Sequence, residues 1–144
     1  MTGKELKAIS ALFYFSSAYD LVLGAVFLAV APWFFRVFAV DPPNHWGYIH
    51  FPAMLLILFG IMFYQIAENP KANRNLIPYG ILLKASYCSV VGMHTFLSGN
   101  LPAMWKPFGI VDFFMMLGFI WAFQKLAPEK VIPAPDDHGN IAPH

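Results

Sequence analysis

The sequence predicts an all-α protein, a four-helix up-down antiparallel bundle that spans a membrane. Hydrophobic residues make up 58% of the 144 residues and charged residues only 12%, whereas about a quarter of residues are charged in an ordinary globular protein. The apolar residues fall in four separate runs; three are close to the roughly 20 residues that cross a bilayer, and the first is long enough to tilt or to extend past the membrane edge. We therefore expect one transmembrane domain over residues 1–126, followed by a proline-rich tail at 127–144.

The predicted helices are separated by short polar segments that contain prolines and asparagines. They cover residues 11–38, 51–67, 77–98 and 107–126. Pro32 lies near the end of the first run and predicts a kink, because proline lacks an N–H and clashes with the preceding turn. Pro52 falls in the first turn of the second helix, where a missing N–H costs nothing. Short connections make consecutive helices antiparallel.

The distribution of lysine and arginine predicts the orientation of the bundle. Most of these residues fall near the two chain ends and in the middle turn, at Lys4, Lys7, Lys71, Arg74, Lys125 and Lys130. Only Arg36 and Lys106 mark the opposite side. By the positive-inside rule, both termini are cytoplasmic.

The net charge argues against a nucleic-acid partner, and the cysteine content excludes an internal disulfide. The formal net charge is +1, so the chain has no basic surface of the kind that binds nucleic-acid phosphates. Cys88 is the one cysteine, which excludes a disulfide within the chain. The expected surroundings are the lipid bilayer and other membrane proteins or further copies of the chain.

Two charged residues lie deep in the apolar runs and predict a buried ion pair. Asp20 in the first run and Lys84 in the third lie at similar depths from the cytoplasmic side, and either charge alone would be costly in lipid. We expect the stripe Ser16, Asp20 and Gly24 to face the third helix, since small residues allow close helix packing. The pair either fixes helix order or serves as a proton relay or anionic-ligand site. Alternatively, Lys84 reaches the membrane interface without a partner.

A second cluster is predicted on the outer side from His50, His94 and Asp112. Two imidazoles from facing helices suit haem, and imidazoles with a carboxylate suit zinc or copper. Methionines on the same side suit Cu(I) or fill gaps between helices, and they are Met54, Met93, Met104, Met115 and Met116. No metal-binding motif such as HExxH or CxxC is present, so interfacial histidines that bond to headgroups remain the simpler interpretation, and we expect no resident metal or cofactor.

Three segments carry a resemblance to a family. They are AYDLVLGAVFLAVAPWFFRVF, FYQIAENPKANRNLIPYGILLKASY and LPAMWKPFGIVDFFMMLGFIWAF, within residues 18–126. Their small-residue first helix, polar Asn-Pro turn, glycine-to-lysine third helix and aspartate in the fourth resemble small four-helix DoxX-like proteins of the bacterial inner membrane. The resemblance implies that fold and that location, with a use for Lys84 and Asp112. It assigns no catalytic residue.

These observations favour a non-catalytic membrane protein that serves as an accessory or structural subunit of a larger membrane complex. Its tail and its aromatic surfaces, which belong to a chain with 17% aromatic residues, would then pack on partner subunits. The alternative is a small redox or ligand-binding protein in which His50, His94 and Asp112 hold haem, a metal or a quinone-like headgroup. A carrier that uses Asp20 and Lys84 is a third hypothesis.

Overall fold

The computed structural model describes residues 2–127, and in that range the chain is helical with no β-strand. The four main helices are α1 (Gly3–Val37), α2 (Gly47–Glu68), α3 (Ile77–Met93) and α4 (Lys106–Lys125). Short 3-10 turns precede α3 and α4, and a π-helical turn, His94–Ser98, extends α3. Each of the four helical segments is long and apolar enough to cross a membrane. The predicted all-α fold with four such helices is confirmed, while the predicted tail lies outside the described residues beyond Ala127.

Helix α1 begins at Gly3 rather than at residue 11. Thr2 and Glu5 form a capping box, in which Glu5 N–H donates to Thr2 Oγ1 at 3.2 Å and Thr2 N–H donates to Glu5 Oε2 at 2.7 Å. These bonds satisfy amide groups that a helix start otherwise leaves unpaired. Hydropathy detects only the apolar part of a helix, so the polar first turns were missed.

The kink in α1 lies at Val30, two residues before Pro32. Val30 has φ −134° and ψ 20°, outside the helical range, and the helix resumes through Pro32 to Val37. The cause is the proline ring, which displaces the turn before it and removes one hydrogen bond.

The helices form two antiparallel pairs, α1 with α2 and α3 with α4. Gly24 and Gly60 allow the first pair to approach closely: a Cβ at Gly24 would lie 2.7 Å from the Ala53 carbonyl oxygen, and one at Gly60 would lie 2.7 Å from Leu21 Cγ. In the second pair, a Cβ at Gly109 would lie 2.8 Å from Val91 Cγ1. By contrast, α2 and α3 touch in few places.

The half of the bundle that contains the start of α1 and the end of α4 has a closed aromatic core. Phe13 and Phe119 stack with ring centroids 4.6 Å apart, and Phe63 lies 5.0 Å from Phe119. All three are fully buried. Close packing of this kind leaves no room for a ligand.

The other half is built around Phe27, Phe35 and Met104, against which Trp46 and Trp105 pack. Phe27 stacks on Trp105 with centroids 5.6 Å apart, and Phe35 meets Trp46 edge to face at 5.4 Å. These rings hold the ends of α1, α2 and α4 together, but they leave a space between the two helix pairs.

The predicted orientation of the α1 stripe is wrong for two of its three residues. Ser16 donates a hydrogen bond to Met115 Sδ on α4 at 3.2 Å, and Gly24 packs on α2. Only Asp20 faces α3. The reason is that residues four apart advance by about 40° around an α-helix, so a stripe of three faces three neighbours in turn.

Candidate functional site

Three charged side chains meet in the middle of the bundle, one from each of three helices. Lys84 Nζ on α3 lies 2.7 Å from Asp20 Oδ1 on α1 and 3.1 Å from Asp112 Oδ1 on α4. Lys84 and Asp20 are fully buried, and the Asp112 side chain is 9% exposed. We call Asp20, Lys84 and Asp112 the charged cluster.

Each member of the cluster lies on the buried face of its helix. On α3 that face is Ile77, Gly80 and Lys84, with the spacing of one helical face. On α4 it is Gly109, Asp112, Met115 and Phe119. In the sequence, the depth of Asp112 suggested the outer histidines as its neighbours, because nearly uniform apolar helices give little sign of which face turns inward.

The cluster has more hydrogen-bond acceptors than the described residues satisfy. Lys84 donates to Asp20 Oδ1, but the contact with Asp112 Oδ1 is an ion pair without hydrogen-bond geometry. Within residues 2–127, Asp20 Oδ2, Asp112 Oδ1 and the Tyr19 hydroxyl are buried and have no hydrogen-bond partner. Buried polar atoms are normally paired, so each of these three calls for an explanation.

Aromatic rings surround the ammonium group. Lys84 Nζ lies 5.4 Å from the Tyr19 ring centroid and 5.8 Å from that of Phe63, both within the range of a cation–π contact. The formal charges are nevertheless unequal, because two carboxylates face one lysine. With all three groups ionised the cluster carries a charge of −1.

A cavity of about 380 Å³ lies directly against the cluster, between the two helix pairs. Asp20, Asp112 and Tyr19 form its polar end. Its walls are apolar and aromatic, and they include Phe27, Leu56, Leu83, Tyr87, Trp105 and Phe108. This is the composition of small-molecule pockets, which are mainly apolar with a few placed polar groups.

The cavity opens between α2 and α3. Pro52 on α2 and Ser86 on α3 line it and are exposed. Tyr48 is 68% exposed and Val90 is 50% exposed on the same two sides. Since α2 and α3 scarcely touch, the opening faces outward from the side of the bundle.

Two further contacts fix the C-terminal half of α3 against α4. The Tyr87 hydroxyl donates to the Trp105 carbonyl oxygen at 3.3 Å, and Cys88 Sγ lies 3.6 Å from the Gly109 carbonyl oxygen. They hold the cavity wall in place. Cys88 thus packs against the backbone of α4.

The two predicted histidines are not among the residues that line the cavity. His50 lies in the first turn of α2 and His94 opens the π-helical turn, both partly exposed. Residues 2–127 contain no group of three or more His, Cys, Asp or Glu side chains that could hold a metal ion. Asp112 instead contacts Lys84, because its face of α4 turns toward α3.

No family model, curated protein or solved structure matches this chain. The resemblance to DoxX-like proteins therefore stays a prediction.

Proposed function

We propose that this chain is a non-catalytic integral membrane protein that binds a small lipophilic ligand in the cavity between its helix pairs. The observation that carries the proposal is the apolar cavity that ends on buried carboxylates, each with an oxygen that accepts no hydrogen bond from residues 2–127. The proposal keeps the ligand-binding alternative from the sequence. It keeps Asp112 from the predicted cluster and replaces His50 and His94 with Asp20 as the polar end of the site.

A purely structural role explains less of the geometry. Lys84 and Asp20 alone would make a neutral, hydrogen-bonded pair that fixes α1 against α3. Asp112 adds a second buried carboxyl group, whose Oδ1 lies 3.1 Å from Lys84 Nζ without hydrogen-bond geometry. A charge retained at the wall of an open cavity, where an apolar residue would pack without that penalty, favours recognition of a ligand.

The route into the cavity suits a ligand dissolved in the membrane. All four helical segments are apolar enough to lie in a bilayer, so the opening between α2 and α3 would face the lipid chains. Tyr48 and Val90 border this opening. A lipophilic molecule would then enter from the side without crossing water.

The proposal includes the location and orientation expected from the sequence. The resemblance supports the bacterial inner membrane, and the excess of lysine and arginine near the termini and the middle turn supports cytoplasmic termini. The cavity would then lie in the outer half of the membrane, since it is lined by the starts of α2 and α4.

An accessory-subunit role is a second candidate, favoured by one exposed surface. Phe96 and Leu97 in the π-helical turn are 84% and 83% exposed, and exposed apolar side chains of this size suit a protein or lipid contact. We expect Phe96→Ser with Leu97→Ser to reduce co-purification of partner subunits in mild detergent. Unchanged co-purification would count against this surface. The part of this hypothesis that concerns the tail lies outside the described residues.

Photolabelling tests the ligand-binding role directly. The full chain in lipid nanodiscs would be exposed to a long-chain alcohol that carries a diazirine in its chain, and adducts would be mapped by mass spectrometry. We expect adducts on cavity residues such as Phe27 and Trp105, because the probe is lipophilic and the walls are apolar. Labelling confined to outward-facing residues such as Val22, which is 62% exposed, would contradict the proposal.

Two serines on α3 supply a matched pair of variants. Ser86 lines the cavity mouth, while Ser89 is exposed outside the lining; each donates one hydrogen bond of 2.7 Å to a carbonyl of its own helix. Ser86→Phe should block entry and abolish labelling of the cavity. Ser89→Phe makes the same chemical change on the same helix and should leave it intact.

A further inference from the structure

We infer that the ligand is a lipophilic amine that binds in its protonated, cationic form, with its ammonium group against Asp20 and Asp112. This inference rests on the proposed function, because it uses the same cavity. It adds the chemical class of the ligand and the residue that selects it.

Charge is the first argument. Two carboxylates and one ammonium give the cluster a formal charge of −1, and the described residues that line the cavity include no lysine, arginine or histidine. An uncompensated charge in apolar surroundings is costly. A cationic ligand would bring the formal charge of the cluster and ligand together to zero, whereas an anionic ligand would bring it to −2.

Hydrogen bonding is the second argument. Asp20 Oδ2 and Asp112 Oδ1 accept no hydrogen bond from residues 2–127, although Asp112 Oδ1 is ion-paired with Lys84, and both residues line the cavity. An ammonium group offers only donors. A primary ammonium group carries enough donors for both oxygens, whereas an alcohol donates one hydrogen bond and leaves the charge uncompensated.

The cavity walls are the third argument. Phe27, Tyr87, Trp105 and Phe108 surround the space above the carboxylates. Their rings suit the apolar body of the ligand, and aromatic faces also attract a cation. A hydrophobic amine satisfies both ends of the site.

The test compares three probes that differ only in the headgroup. Each carries the same diazirine-labelled alkyl chain, with an amine, a hydroxyl or a carboxylate at its end, and is added to the full chain in nanodiscs of zwitterionic lipid at neutral pH. The measured quantity is the ratio of adducts on Phe27 to adducts on Val22. Both residues belong to α1, so the ratio removes differences in partitioning into the bilayer.

We expect this ratio to be about tenfold higher for the amine than for the carboxylate, equivalent to about 1.4 kcal/mol, with the alcohol between them. Asp112→Asn should reduce the ratio for the amine to that for the alcohol, because it removes the excess charge and keeps the Lys84–Asp20 pair. Asp41→Asn makes the same change at an exposed loop position and should leave the ratios unchanged.

The outcomes separate the two proposals. Equal ratios for amine and alcohol, a carboxylate that leads, or an amine preference that survives in a folded Asp112→Asn protein would each overturn the amine assignment and leave ligand binding intact. Cavity labelling by none of the three probes would overturn ligand binding itself. Should Asp112→Asn lose its helical fold, the ratios measured on the unaltered protein decide the question.

Discussion

Lys84 is the residue on which the centre of the bundle depends. It is fully buried and is the cation that Asp20 and Asp112 share. We predict that Lys84→Met destabilises the protein by about 3–5 kcal/mol, because removing one partner of a buried ion pair leaves uncompensated charge behind. The measurement is reversible unfolding in mixed micelles, followed by circular dichroism.

Lys125→Met is the matched control for this change. Lys125 Nζ lies 2.9 Å from Glu5 Oε1, but its side chain is 46% exposed, and exposed ion pairs contribute little to stability. We expect a much smaller effect than at Lys84. If both variants unfold alike, or if Lys84→Met keeps the stability of the unaltered protein, the cluster does not hold the helices together.

The residue scale also shows what sequence can and cannot determine about the site. The depths of Asp20 and Lys84 along their helices predicted that they would meet, and the structure places them 2.7 Å apart. Depth could not assign Asp112, because its neighbours depend on the rotation of α4 about its axis. The rotation of a helix decides which of its residues are buried in the packed bundle. When a helix is apolar on all sides, its sequence gives little indication of that rotation.

At the scale of the helices, the α1–α2 pair depends on two glycines. Gly24→Ala would place a Cβ 2.7 Å from the Ala53 carbonyl oxygen, and because that atom belongs to the backbone it cannot turn aside. We predict a destabilisation of about 1–3 kcal/mol, the usual cost of forcing extra volume into a packed site. The same unfolding assay measures it.

Gly92→Ala on α3 serves as the control for that change. A Cβ at Gly92 meets no atom within 4 Å, and alanine favours a helix over glycine by up to about 1 kcal/mol. We therefore expect Gly92→Ala to be neutral or stabilising. Equal losses at both positions would mean that the close approach of α1 and α2 contributes nothing specific.

The four helices were predictable because length and hydropathy define membrane-spanning segments well. The positions where the helices begin and end were less predictable. The capping box of Thr2 and Glu5 extends α1 into polar sequence, and a π-helical turn replaces the regular end of α3. The cavity could not be predicted at all, since it results from how loosely α2 and α3 pack.

On the scale of the whole molecule, the bundle has two unlike halves with the charged cluster between them. One half is filled by Phe13, Phe63 and Phe119, while the other contains the cavity. The closed half fixes the helices near the cluster, so on the proposed function the open half would admit a ligand without loss of the fold. Because the cavity lies in one half only, the orientation of the chain decides which leaflet of the membrane the cavity opens into.

Cysteine labelling tests that orientation. In a Cys88→Ser background, which removes the one native cysteine, Ala72→Cys and Asn100→Cys place thiols at exposed positions in the middle and last connections. We predict that a membrane-impermeant maleimide labels Asn100→Cys in intact bacterial cells and labels Ala72→Cys only after lysis, because lysine and arginine in a short loop favour the cytoplasmic side.

The result determines which membrane leaflet supplies the ligand. The cavity is lined by the starts of α2 and α4, the end of the bundle that carries Asn100. If Asn100→Cys is labelled in intact cells, the opening between α2 and α3 lies in the outer leaflet, and an amine supplied outside would reach Asp20 and Asp112 without crossing the membrane. The reverse labelling pattern would contradict the predicted orientation and place the same opening in the cytoplasmic leaflet, where intracellular amines would be the source.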